Sequence, residues 1–408
     1  MELRKNLLTN RLPPSIRGVG DNNMATSLQK KTSRKQQHDF SPSSWTKYFD
    51  KSEDVEIQKN KFRVYRSGTE GPILLLLHGG GYSALTWSLL NEELKSRVVC
   101  QTVAIDLRGH GNTITENDDD LSKDTLAGDI GHIVDKLYGD EAPPVVLVGH
   151  SMGGAIAVHA ASGGLIRSLA GVCVIDVVEG TAMQALASMQ SYLRGRPKNF
   201  RSIEHAIEWA FRSGHTRNLD AAKISMPGQL KNLLTGTIAT NELTEEGIAT
   251  AETCTFSNIE TSTVDTILEE EDVDEELAKS KLKENHFKIP GPSSHNDVHD
   301  RQAPMYTWRI DLSKTESHWP GWFQGLSDLF LNHIQASKLL LLASINGLDT
   351  DLTVGQMQGK FQMQVLTRCG HAVQEDTPDQ VADVLASFLL RNRLTTAHGD
   401  FNLSFPSC

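Results

Sequence analysis

The sequence predicts an α/β fold around a mainly parallel sheet, interrupted by a helical insertion. Three observations carry this. Short, wholly apolar runs recur along the chain, helical patterns lie between them, and one long stretch from about residue 179 to 332 breaks the alternation. The first run, Ile73-Leu74-Leu75-Leu76-Leu77, lies between Gly71-Pro72 and Gly79-Gly80-Gly81. Such a run reads as a strand buried on both faces. Residues 102–105 form a second, ending in Asp106-Leu107-Arg108-Gly109, and 145–148 and 171–175 a third and fourth. Residues 338–343 and 361–366 complete the set after the insertion. Helical spacing occupies 85–95, 122–137, 152–163 and 379–391, between and after these runs.

Residues 181–234 read as helical, with Met183, Leu186, Met189 and Leu193 forming a stripe expected to pack rather than bind. Residues 235–303 are rich in Thr, Glu and Ser with few aromatics and read as a disordered acidic loop. Seven of the eight positions from Glu269 to Glu276 are acidic. Residues 1–39 read as a disordered basic tail, and 40–408 as one domain.

Of the net charge of −11 over 408 residues, residues 252–300 contribute −9 and residues 1–38 contribute +6. The rest is ordinary for a globular domain, so nucleic acid is not expected as a partner. No run of apolar residues is long enough to span a bilayer, and Met1 to Asn10 lack the pattern of a secretory signal. Five scattered cysteines suit a reducing compartment, so a cytoplasmic location is expected. The pairs Lys30-Lys31 and Arg34-Lys35 have the composition of a nuclear import signal. No metal set is expected; His295, Asp297, His299 and Asp300 form only a loose cluster in the acidic loop.

Gly149-His150-Ser151-Met152-Gly153 fits the G-x-S-x-G pattern of a nucleophile elbow, between a buried strand and a helix. The turn strains the serine, leaves no room for a Cβ two residues to either side, and lifts the hydroxyl to a helix N-terminus. A serine needs a base, and among 15 histidines His371 follows the last strand and precedes the last helix. His78, His110 and His150 read as structural. The acid stays open on these grounds. Asp176 ends the apolar run 171–175, while Asp349 and Asp351 follow the next strand. Oxyanion donors are expected from Met152 and from Gly80 or Gly81. The Asp106–His110 turn reads as structural.

Several blocks together resemble the protein phosphatase methylesterase family of α/β-hydrolases. They are Leu75 to Gly81 (LLLHGGG), Gly149 to His159 (GHSMGGAIAVH), Ile175 to Met183 (IDVVEGTAM), Arg194 to Lys198 (RGRPK) and Gly355 to Val365 (GQMQGKFQMQV). Phe40-Ser41-Pro42, Tyr306-Thr307-Trp308-Arg309 and Cys369 to Val373 add to them. Tyr82, where a His is expected, and Asn112 depart from the pattern. The resemblance implies Ser151 as nucleophile, His371 as base and Asp176 as acid. It implies an α/β-hydrolase fold, no cofactor, and cleavage of the methyl ester on the C-terminal leucine of the protein phosphatase 2A catalytic subunit. The helical insertion and the aromatic residues Trp319, Trp322 and Phe323 are expected to dock on that phosphatase. Val264 to Glu269 (VDTILE) resembles a motif read by phosphatase regulatory subunits. The rival expectations are a general carboxylesterase or lipase, and a scaffold that binds the phosphatase without turnover.

Overall fold

The computed structural model describes residues 38–243, 305–344, 348–399 and 401. Phe40–Cys408 form one unit by their internal contacts. The basic pairs, the acidic run, the VDTILE block and the His295 cluster all lie outside the described residues.

An eight-stranded sheet runs in the order β1-β2-β4-β3-β5-β6-β10-β11. Its parallel strands are β3 (Ile73–Leu77), β4 (Gln101–Ile105), β5 (Val145–His150), β6 (Leu169–Ile175), β10 (Ser337–Leu342) and β11 (Gln362–Val365). These are the six runs expected from the sequence. β1 (Lys51–Ile57) and β2 (Asn60–Ser67) form an antiparallel hairpin at one edge, which the sequence did not announce. The reason is physical. β1 is the edge strand, with Val55 its one fully buried residue, and charges such as Glu53 and Asp54, which pair with Arg66 and Arg63 of β2, occupy both its faces, so neither strand of the hairpin forms a continuous apolar run.

Alternation within β3 creates two cores. Ile73, Leu75 and Leu77 pack beneath α2 (Lys123–Tyr138) and α3 (Met152–Ser162). Leu74 and Leu76 pack beneath α1 (Ser88–Lys95) and the final helix (Pro378–Arg391). Ser122 caps α2 by accepting the Thr125 amide.

The insertion is not purely helical. α4 (Glu179–Gly195), α5 (Ile203–Ser213) and α6 (Leu219–Ser225) are joined by a three-stranded antiparallel sheet, β7-β9-β8. β7 (Asn199–Phe200), β8 (Leu230–Asn232) and β9 (Tyr306–Trp308) are too short for any periodicity to show. They enclose a third core, with Phe200, Ile207, Met226 and Tyr306. The expected start of the disordered loop needs correction. Residues 235–243 are ordered, and Ala239 and Thr240 are buried. Asn112 holds this turn, donating to Thr240 Oγ1 at 2.9 Å and accepting from Asn241 Nδ2 at 2.8 Å.

Glu375 ties the segment after His371 to the short helix Ala84–Trp87. Its carboxyl is fully buried and accepts from Thr86 Oγ1 at 2.7 Å, and burial raises its pKa from 4.5 to about 7. A carboxyl whose folded pKa is raised favours the native state below its unfolded pKa, and that stabilisation is lost as pH rises through the folded pKa. Glu375→Gln should therefore flatten the decline in stability between about pH 4.5 and 7, a span on the order of 3 kcal/mol. Urea melts at several pH values check this; parallel curves for the two proteins would refute it.

Candidate active site

Register places the chemistry at one end of the sheet. Leu77 pairs with Gly149, His150 with Ile175, and Ile175 with Leu341, so the carboxyl ends of β3, β5, β6 and β10 are level. Loops leaving the carboxyl ends of parallel strands converge there.

Ser151 leaves β5 at φ 53°, ψ −121° and starts α3. A side chain rarely adopts this backbone conformation, and it persists only where its surroundings enforce it. The enforcement is visible. The Ser151 amide donates to Ile175 O at 3.0 Å. A Cβ on Gly153 would overlap Leu77 O, and one on Gly149 would overlap Gly153 O. Both glycines of the elbow are therefore demanded by close backbone approach.

His371 and Asp176 meet this serine. Ser151 Oγ lies 3.0 Å from His371 Nε2, and His371 Nδ1 lies 2.8 Å from Asp176 Oδ2. Asp176 also stands at positive φ, 53°, with its amide donating to Leu341 O at 2.7 Å. Its second oxygen accepts the Ala343 amide at 2.9 Å. Burial works against the carboxylate's charge, but the His371 and Ala343 hydrogen bonds outweigh it and hold its pKa below the usual value. The arrangement can take a proton from Ser151 and stabilise the imidazolium that results. Asp349 is occupied elsewhere. It caps the helix Thr350–Met357, accepting from Leu352 N at 2.8 Å and from Ser327 Oγ at 2.6 Å. Asp351 is exposed on that helix. Neither is paired with His371.

The histidine loop is clamped from two sides. His150 Nε2 donates to His371 O at 2.7 Å. Burial, with the nearby His371, brings the His150 pKa down to about 3, so its ring stays neutral. Asp376 accepts from Gly370 N and from Arg217 N, each at 2.6 Å, joining the loop to the connection between α5 and α6. Sequence reading offered no signal for this carboxylate, because its partners are two backbone amides and the Thr216 hydroxyl, which the fold brings from 160 positions away.

The glycine loop requires a correction. The Gly81 amide donates to His110 Nε2 at 2.9 Å and is not free to hold an oxyanion. Burial brings His110 down to a pKa of about 4, so its Nε2 is a neutral acceptor. Gly80 faces Met152, and its amide makes no hydrogen bond among the described residues. Met152 opens α3, where no preceding turn supplies an acceptor. Gly80 and Met152 are the available donors. Two buried histidines thus support the loop, since His78 Nε2 accepts from Leu107 N at 3.0 Å. The adjacent turn is structural: Arg108 makes two 2.8 Å bonds to Asp129.

Two cavities open beside Ser151 and His371. One, about 310 Å³, is lined by apolar residues including Val178, Ala182, Leu186 and Leu348. The other, about 450 Å³, adds Tyr82, Arg196, His215 and Trp319. Tyr82 stacks on His215 at 5.0 Å between ring centroids. Of the stripe expected to pack, Leu186, Met189 and Leu193 of α4 touch the core and also line these cavities, whereas Met183 is exposed. Trp319, Trp322 and Phe323 do not form a docking face. They are at most 8% exposed, and Trp322 Nε1 donates to Leu121 O at 2.7 Å. The sequence shows only that they are aromatic; burial against α3 and α4 follows from the fold. Among the described residues no group of metal-binding side chains occurs, and no helix is long and apolar enough to cross a membrane.

The sheet order and the serine-bearing turn are those of an α/β-hydrolase. Residues 74–384 match the Alpha/beta hydrolase family, and the chain belongs to it. Solved structures agree on the fold. E-2-(acetamidomethylene)succinate hydrolase superposes with a TM-score of 0.56 at 16% identity, over 83% of this chain and 98% of that one. An esterase of Mycobacterium tuberculosis gives 0.52 at 17%, over 83% and 91%. Sequence is more specific. Protein phosphatase methylesterase 1 of Mus musculus and that of Homo sapiens are each 50% identical over 412 residues, covering 100% of this chain and 99% of the relative. A probable protein phosphatase methylesterase 1 of Caenorhabditis elegans is 41% identical over 86% of this chain and 78% of the relative. The chain belongs to the protein phosphatase methylesterase family.

Proposed function

We propose that this chain is a serine carboxylesterase that removes the methyl ester from the C-terminal leucine of the protein phosphatase 2A catalytic subunit. The observation that carries the reading is the hydrogen-bonded series Ser151–His371–Asp176, in a chain half identical, end to end, to proteins named for that esterase activity. In this reading Ser151 Oγ attacks the ester carbonyl while His371 Nε2 takes its proton. The Met152 and Gly80 amides hold the oxyanion. His371 returns the proton to the departing methoxide, releasing methanol and leaving an acyl-enzyme. Water then adds with His371 as base, and the free carboxylate leaves with Ser151 regenerated. Asp176 holds the imidazole in the required tautomer throughout. The apolar 310 Å³ cavity beside Ser151 suits the leucine side chain.

The domain assignment goes with this reading: residues 40–408 as the hydrolase and 179–332 as its cap. The decisive assay is methyl release from carboxymethylated phosphatase catalytic subunit. Wild type should release methyl and Ser151→Ala should not. Equal release by both would reject Ser151. No release by either, with binding intact, would favour a scaffold.

A further inference from the structure

The 450 Å³ cavity holds a cation that no described residue neutralises. Arg196 follows α4 as its C-cap. Its guanidinium lies over Trp308, with Cζ 3.6 Å from the ring centroid, and 6.0 Å from that of Trp209. Trp308 is fixed in turn by Nε1–H donating to Pro197 O at 2.7 Å. Arg196 Nε is buried without a hydrogen-bond partner, and the titratable groups that act on the side chain are the phenols Tyr192 and Tyr82, with no carboxylate among the described residues. Asp311, the acid that shares a neighbouring wall, is engaged by Ser313 N and Oγ.

An arginine stays charged at neutral pH, and a cation–π contact recovers only part of the hydration lost on burial. Arg196 is half-buried, so its Nη groups are left to solvent or to a ligand that enters the cavity. Its position points to a ligand. Arg196 lines both the cavity containing Ser151 and an adjoining groove of about 560 Å³, which also carries Arg194 and Lys198. A Cβ built on Gly81 would lie 3.8 Å from Arg196 Nη1, so the guanidinium sits beside the glycine loop. With one face on Trp308, its N–H edge can still take a carboxylate in two parallel hydrogen bonds.

We propose that Arg196 is the carboxylate-recognition residue of the substrate site, pairing with an acidic group of the peptide whose terminal ester reaches Ser151. This rests on the esterase reading above. The carboxylate has two possible sources: an acidic side chain preceding the ester, or the α-carboxylate that hydrolysis creates.

The test uses the full chain carrying Ser151→Ala, so that binding is read without turnover. Calorimetry compares peptide methyl esters in which one aspartate is walked through the residues before the ester, each against its asparagine twin. The free acid of an aspartate-free peptide is compared with its methyl ester. One aspartate position should bind about ten- to a hundredfold tighter than its twin. Adding Arg196→Met, which keeps the apolar stem, should abolish that preference, and Arg196→Lys should restore part of it. If the preference instead separates free acid from ester, and Arg196→Met removes it, the product α-carboxylate is the source. Equal binding of all twins and both terminal forms overturns the proposal, as does a preference that survives Arg196→Met. A sharp fall in the melting temperature of Arg196→Met also counts against it, because a purely structural arginine behaves that way. Wild-type turnover of the asparagine esters separates the two readings. Turnover without any acidic preference sinks only the role of Arg196. No turnover of peptide or methylated phosphatase sinks the esterase reading, while the binding comparison still decides Arg196.

Discussion

Asp176→Asn should lower kcat by roughly four orders of magnitude, while Asp349→Asn should leave it within about twofold. An asparagine at 176 cannot stabilise the imidazolium, and its amide can turn its NH₂ toward His371 Nδ1, favouring the wrong tautomer. Ala343 N would still hold the other end of the side chain, so the loss should fall on turnover rather than folding. At 349 the side chain accepts a helix amide and the Ser327 hydroxyl, and asparagine caps a helix nearly as well as aspartate. Single-turnover release of methyl from methylated phosphatase, with melting curves of both variants, is the measurement. The opposite ranking would move the acid to the strand end after β10.

Trp322→Ala should destabilise the chain by about 3–5 kcal/mol, the range for removing a large aromatic from a core. Trp322 is 4% exposed, lies edge-on to Phe323 at 6.0 Å, and spends its indole N–H on Leu121 O. Truncation empties that volume and leaves the Leu121 carbonyl without its donor. The urea midpoint should fall with little change in slope. Because Trp322 also lines the cavity beside Ser151, activity should fall even where the protein stays folded. An unchanged midpoint together with weaker phosphatase binding would reinstate the docking role expected from sequence.

The two cases differ in why sequence reading held or failed. The meeting of Ser151 with His371 was legible because each sits where local chain order dictates it, in a glycine-flanked turn after one strand and in the loop after the last. Asp176 was legible only by resemblance, since residue types and strand ends left Asp349 and Asp351 equally open. Sheet register separated them: Asp176 follows Ile175, which pairs with both His150 and Leu341. Of the two glycines the sequence left open, Gly81 drops out because its amide is consumed by His110, a residue 29 positions away.

Sequence alone determined the six parallel strands, the covering helices and the serine-bearing turn. Their signals are local, being apolar runs, helical spacing and glycines demanded by a sharp turn. Tertiary structure alone decided the edge hairpin, the three-stranded sheet of the cap and the burial of Trp319 and Trp322. It also decided which glycine amide is free and that Arg196 lacks a partner among the described residues. Each of these depends on pairing between distant segments, and the energy of such a pairing belongs to neither segment by itself.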